Sequence, residues 1–232
     1  MAKNKLSIAD VWNYADPRDV PAYTVAEAAH YLCMPASTVR DWVSGTKKFT
    51  RVLDLPKPAV TLLSFFNLVE AHALRSLRVV HRIELPRIRD ALDYDHAKLG
   101  WKRPLIHEGF KTDGARLFVE HLGQVMDVTA QRQIVMQAVM THLERIEWET
   151  NLAARLYPFT RLNTENAPKS VFIDPRFSFG RPILRDSRVT TAIIADRYKA
   201  GDSIDDLALD YGCSRPEIEE AVRCELPTKA AA

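Results

Sequence analysis

Apolar residues fall at Val25, Ala28, Ala29 and Leu32, the spacing of one helical face. Thr24 precedes this run and Glu27 stands three residues after it, the pair that forms a capping box. The pattern breaks at Cys33-Met34-Pro35. Pro35 cannot continue the first helix but tolerates the start of a second. Val39 and Val43 then face inward at i, i+4. Ser37, Thr38 and Arg40 occupy the outer N-terminal turns, and Ser44-Gly45 provides a stop. The expected local structure is two short helices joined by a tight turn. Lys47, Lys48 and Arg51 follow in a stretch without helical period, which reads as a β-wing.

After Pro56 and Pro58 the inward positions Val60, Leu63, Leu68, Ala71, Leu74 and Val79 predict a long helix, with Arg75, Arg78 and Arg82 outside. Glu84-Leu85-Pro86 opens another, through Ile88, Ala91, Leu92 and Tyr94, closing by Gly100. From residue 101 the pattern changes. Residues 104–106, 116–120 (RLFVE) and 125–128 read as strands, with a turn at Asp113-Gly114. Residues 131–147 read as a helix with Ile134, Val135, Ala138, Val139, Leu143 and Ile146 on its inner face. Residues 155–160 read as a strand kept to an edge by Pro158, and the polar run 163–170 as a linker. The last block contains a short strand at 171–173, a turn-rich loop at 177–182, and a helix over 189–199 stopped by Gly201. Two more helices follow, capped by Ser203 and Ser214. The predicted fold is α+β and mostly helical. A lead-in (1–22) precedes an N-terminal winged helix–turn–helix (23–100), a small β-containing middle region (101–168) and a C-terminal three-helix helix–turn–helix (169–232).

Composition narrows the class. The chain has 232 residues, 47% of them apolar and 27% charged, ordinary values for a globular protein. Its most apolar stretch, 60–77, is interrupted by Asn67, Glu70, His72 and Arg75, so no membrane span is expected. The first residues carry no apolar leader core. Three cysteines, Cys33, Cys213 and Cys224, include no CxxC pair. A cytoplasmic protein with reduced thiols is expected, without a metal site or other cofactor. His107, His121, His142 and the scattered acids form no nucleophile–base pattern, and there is no phosphate loop or HExxH. The chain is not expected to be an enzyme.

A net charge of +2 says little, so the location of charge decides. In the first helix pair, Ser37 and Thr38 suit phosphates and bases, and Arg40 can fork onto a guanine. Lys47, Lys48 and Arg51 suit phosphates. The DNA-binding candidates are therefore Thr24, Ser37, Thr38, Arg40, Lys47, Lys48 and Arg51. The final helix instead carries Glu217, Glu219, Glu220 and Glu225 against Arg215 and Arg223. That balance would repel phosphates, so the second copy reads as a protein-binding module. Arg176, Arg181, Arg185 and Arg188 lie before it and suit an acidic surface.

YTVAEAAHYLCMPASTVRDWV, with LSFFNLVEAHALRSLR and IELPRIRDAL, resembles the winged helix–turn–helix of MerR-type regulators. FIDPRFSFGRPILRDSRVTTAIIADRYKAGDSIDDLALDYGCSRPEIEEAV resembles the small domain of antitoxins that pair with PIN-like toxins. Asp174, Pro175, Phe179, Gly180, Pro182, Asp210, Tyr211, Gly212 and Ile218 carry that motif. Together the segments are similar to the longer VapB-type antitoxins. The resemblance implies a homodimer that represses its operon at an operator and neutralises a PIN-like ribonuclease toxin. The expected toxin-binding residues are Arg176, Phe177, Arg181 and Arg188. One departure stands out: the chain looks ordered almost to its end, without the tail by which many antitoxins wrap their toxins. The alternative implied is a MerR-like, effector-responsive regulator holding a small molecule near Trp101, Trp148, Tyr157 or Phe159.

Overall fold

The computed structural model describes residues 16–46, 50–56, 61–76, 83–125, 129–161 and 167–226. Among them the architecture is α+β. Nine α-helices accompany three two-stranded antiparallel ribbons. Strand β1 (Tyr23–Thr24) pairs with β2 (Leu62–Leu63) and brackets helices α1 (Val25–Tyr31) and α2 (Ala36–Ser44). Helix α3 (Phe65–Arg75) follows, then α4 (Leu85–Leu99), α5 (Asp113–Val125) and α6 (Thr129–Leu143). The β3 (Ile146–Glu149) and β4 (Leu152–Leu156) hairpin leads to β5 (Val171–Phe172) and β6 (Ile183–Leu184). Helices α7 (Thr191–Ala200), α8 (Ile204–Tyr211) and α9 (Arg215–Glu225) complete the chain.

Helix α3 is the hub, and every residue from Phe65 to Arg75 is buried. Its start is fixed by Ser64, whose capping box uses Asn67. The helix therefore begins five residues later than a start at Val60 would place it, and Leu62 and Leu63 serve as strand. Because α3 is covered on all sides, Arg75 is not outside as its spacing predicts. It is buried, over the Phe159 ring at 5.4 Å. Expected positions Val60, Val79, Arg78 and Arg82 lie outside the described residues.

The middle region departs most from the pattern. Residues 104–106 form a 3-10 turn started by Pro104, with Leu105 and Ile106 both buried. RLFVE is helical, not strand. Ala115, Phe118, Val119 and Leu122 form a buried helical stripe in α5, and packing against α4 and α6 overrides the β preference of the individual residues. Asp113-Gly114 opens this helix instead of turning between strands. Gly114 lies so close to the Phe110 and Trp101 rings that a Cβ would come within 2.7 Å of Phe110. The expected strand at 125–128 falls largely outside the described residues, and Val125 ends α5. Helix α6 stops at Leu143, so Ile146 and Glu147 belong to β3; Ile134 is 57% exposed instead of inward. The strand expected over 155–160 is shifted to Leu152–Leu156. Of the expected linker, residues 163–166 are outside the described set. Ala167 and Pro168 are fixed by Arg145, whose guanidinium donates to the carbonyls of Tyr157, Pro158, Ala167 and Pro168.

One buried apolar cluster runs from Tyr23 through α3, α4, α5 and α6 to Ile173, crossing residue 100. Arg103 reinforces this continuity with a bidentate bridge to Glu70 and a bond to Asp19. A second cluster lies under the last three helices, around Leu184, Ile194, Leu207, Ile218 and Ala221. The reciprocal backbone bonds between Leu156 and Ile173 join the two parts.

Candidate nucleic-acid interface and its C-terminal brace

The predicted capping box is formed. Thr24 N and Oγ1 both donate to Glu27 Oε2 at 2.8 Å, and Glu27 N donates back to Thr24 Oγ1 at 3.1 Å. Helix α1 ends as Cys33 enters the left-handed region at φ 50°, while Met34 N bonds Ala29 O. That turn swings the chain into α2 at Pro35. Val39, Trp42 and Val43 anchor α2 inward, and Val52 N and Leu53 N both bond the Trp42 carbonyl. Ser37, Arg40 and Ser44 are exposed, while Thr38 is half-buried. At i, i+3 and i+7 the three exposed residues share one face. Arg40 has no ion pair among the described residues. The first turn of α2 holds no acidic residue, so the positive end of its dipole faces outward uncompensated.

The expected β-wing falls partly outside the described residues. Lys47 and Lys48 lie outside the described residues. Residues 50–56 contain bends and no strand, and Arg51 pairs with Asp54 at 2.9 Å. The short ribbon near this helix pair is β1–β2, a pairing that the sequence pattern does not announce.

The loop arginines are distributed differently from a free basic patch. Arg176 bonds Asp174 and Glu149. Arg181 Nη1 donates to Glu27 Oε1, which places a C-terminal arginine against the cap of α1. Arg185 is 3.7 Å from its neighbour Asp186. Arg188 lies over the Phe172 and Phe177 rings, at 5.1 and 4.8 Å. Tyr23 Oη donates to Gly180 O at 2.9 Å, a second tie between the same two regions. The family-like FG pair in the loop is the one sequence signal for this contact, since Gly180 has φ 75° and a Cβ there would strike Tyr23 Oη.

The acidic last helix is also more committed than its composition predicts. Glu220 is buried and accepts bonds from Thr160, Arg161 and Arg223. Burial works against its ionisation, but bonds from Arg161 and Thr160 and the charges of Arg161 and Arg223 outweigh it, and its pKa is lowered. Glu217 closes a capping box with Ser214, Glu219 pairs with Arg215 and Arg223, and Glu225 accepts from Thr191. Trp101 and Trp148 are half-buried and Tyr157 and Phe159 buried. Trp101 stacks on His107, and Phe159 on His72. Among the described residues no group of three or more His, Cys, Asp or Glu could hold a metal ion, and no helix is long and apolar enough to cross a membrane.

Residues 171–223 match the family described as a protein of unknown function, DUF433. A protein of Mycobacterium tuberculosis H37Rv named "Uncharacterized protein Rv2308" is 22% identical over 218 residues, 88% of this chain and 90% of the relative. The X-ray crystal structure of Rv2018 from Mycobacterium tuberculosis superposes with a TM-score of 0.68 at 26% identity, covering 88% of this chain and 98% of that one. Over 229 residues, 88% of its own length and 93% of the relative's, the chain is likewise 26% identical to the Mycobacterium tuberculosis H37Rv protein named "Putative antitoxin VapB45".

Proposed function

We propose that this chain is the antitoxin of a toxin–antitoxin pair, which binds and neutralises a PIN-like ribonuclease and binds its own operator. The observation that carries this reading is similarity to an antitoxin-named protein over almost the full length of both chains. It is supported by α2, whose Ser37, Arg40 and Ser44 are exposed on one face with no acid in the first turn. That is the layout by which a second helix enters a major groove. Thr24, Thr38, Lys47, Lys48 and Arg51 complete the proposed DNA contacts. Two copies bound to half-sites one helical turn apart would form the repressing unit. The C-terminal domain is the proposed toxin-binding part, with Arg176, Phe177, Arg181 and Arg188 as contacts.

Co-expression with the product of the adjacent reading frame tests the pairing. An affinity-tagged chain should retain a small nuclease and suppress its RNA cleavage, and should shift a promoter fragment in a salt-dependent manner. Elution of the chain alone, with nuclease activity unaffected, would remove the antitoxin reading. Binding of toxin without any promoter shift would remove the repressor half.

A further inference from the structure

Phe179 is 94% exposed, an unusual position for a residue whose whole side chain is apolar. It is not a floppy loop tip. Ser178 and Phe179 both lie in the left-handed region, at φ 46° and 54°, a conformation that residues with a Cβ adopt only when the surroundings hold them there. The surroundings do so here. Phe177 N bonds Asp174 O, Gly180 N bonds Phe177 O, and Arg181 N bonds Ser178 O. Tyr23 Oη clamps the Gly180 carbonyl from the other side. The fold therefore fixes the backbone that holds this aromatic ring in water.

Two residues away, Phe177 is 37% exposed and carries the Arg188 guanidinium over its ring. Arg188 is itself left-handed, at φ 62°. Of the four arginines in this loop, Arg176 and Arg181 are occupied by Asp174, Glu149 and Glu27, and Arg185 sits beside Asp186. Arg188 is the one with no carboxylate partner among the described residues. An exposed aromatic on a fixed backbone, beside an uncompensated guanidinium, is the composition of an interface anchor. Its complement is an apolar pocket edged by carboxylates. A nucleic-acid backbone is a poorer match, because phosphates and sugars offer the aromatic ring no apolar pocket.

We infer that Phe179, with the Phe177–Arg188 stack beside it, is the docking point for the proposed toxin, the ring entering an apolar pocket and Arg188 meeting an acidic rim. This rests on the antitoxin reading and refines it, because it assigns Arg176 and Arg181 to bracing the loop and gives the contact to Phe179.

The full-length chain, Phe179→Asn and Arg188→Asn would be compared by calorimetric titration with the purified product of the adjacent reading frame. Asparagine tolerates the left-handed backbone, so the loop keeps its shape and the Phe179→Asn melting temperature should equal that of the unmodified chain. Each substitution should weaken binding at least tenfold. Unchanged affinity in Phe179→Asn would overturn the docking site while leaving the antitoxin reading intact. No binding by the unmodified chain would overturn both. Sedimentation velocity and promoter binding on the same samples separate other occupants: if Phe179→Asn changes the oligomeric state or the promoter affinity and leaves toxin affinity alone, the ring contacts a second copy or DNA, and the inference fails.

Discussion

Glu27 and Arg181, 154 residues apart in the chain, share an ion pair in which each also has a second structural duty. One carboxylate oxygen of Glu27 closes the capping box on α1; the other receives Arg181 from the loop between β5 and β6. Burial alone would raise the Glu27 pKa, but the Thr24 bonds and Arg181 outweigh it and the pKa is lowered. Its contribution is therefore present above an ordinary carboxylate pKa of 4.5 and is lost as pH falls through the lower, folded value. Both side chains are partly exposed, 32% and 46%, so solvent screening keeps the pair itself to about 1 kcal/mol or less. Glu27→Ala should cost about 1–2 kcal/mol because it also removes half the cap. Arg181→Ala should cost less. Urea unfolding of both single variants and the double variant would show a positive coupling; strictly additive losses would mean that the pair is not formed in solution.

Gly180 faces a second constraint at the same junction. A Cβ would collide with Tyr23 Oη, and φ of 75° is unfavourable for alanine. Gly180→Ala should destabilise by about 1–3 kcal/mol. Tyr23→Phe should cost about 1–2 kcal/mol by leaving a buried carbonyl unpaired. Denaturant midpoints of the two variants check this. A Gly180→Ala midpoint equal to that of the unmodified chain would show that the docking is looser than described.

Arg40 and the Lys47/Lys48 pair should separate two kinds of DNA contact. Arg40→Ala should relax preference at one operator position, by about 1–3 kcal/mol between right and wrong base. Replacing both lysines should weaken binding to all sequences and lower the salt slope by about 2. Titrations at several salt concentrations, on operator and scrambled duplexes, read both effects. Unaltered binding in both variants would remove the N-terminal helix pair from the interface.

Stability against pH should reflect two opposed sets of buried groups. Burial, with neighbouring His142 and Arg75, holds the His72 pKa well below its usual value. Burial and Arg75 bring His142 down to about 4. The unfolded chain then binds more protons between pH 6.5 and about 4. His142 therefore removes stability as pH falls through that range, by up to about 1.4 kcal/mol per pH unit, and His72 acts in the same direction below its usual value. Asp95 acts oppositely. Both its carboxylate oxygens are buried without a hydrogen bond among the described residues, and burial raises its pKa to about 7. Its folded form keeps a proton that the unfolded form loses above pH 3.8, so it contributes relative stability as pH falls below 7. Asp95→Asn should stabilise the protein at pH 8 and steepen its acid-side loss. Thermal melts from pH 8 to 4.5 test this; a variant less stable at pH 8 would show that the carboxylate has a partner in solution.

Local signals located the elements whose physics is local. Thr24 with Glu27, Ser203 with Asp206 and Ser214 with Glu217 sit where capping spacing places them, because a cap involves atoms within one turn of backbone. The glycine stops at Gly45, Gly100, Gly201 and Gly212 are likewise at helix ends with positive φ. The β reading of RLFVE failed because burial of Phe118 and Val119 against α4 and α6 is a nonlocal gain that exceeds a local preference. Arg75 and Glu220 read as surface charges because helical spacing gives a face but does not reveal a neighbour that covers it. Their surroundings, Phe159 and His142 for one and Thr160 and Arg161 for the other, come from distant segments.

The amino-acid order by itself determined the capped helices that begin at Thr24, Ser203 and Ser214 and the contrast of charge between the two ends of the chain, since each depends on residues within a few positions of one another. Only the tertiary structure decided which charges are spent internally. It also placed the C-terminal loop against the cap of α1 and left Phe179 in water, because hydrogen bonding and burial between segments more than a hundred residues apart have no period in the chain.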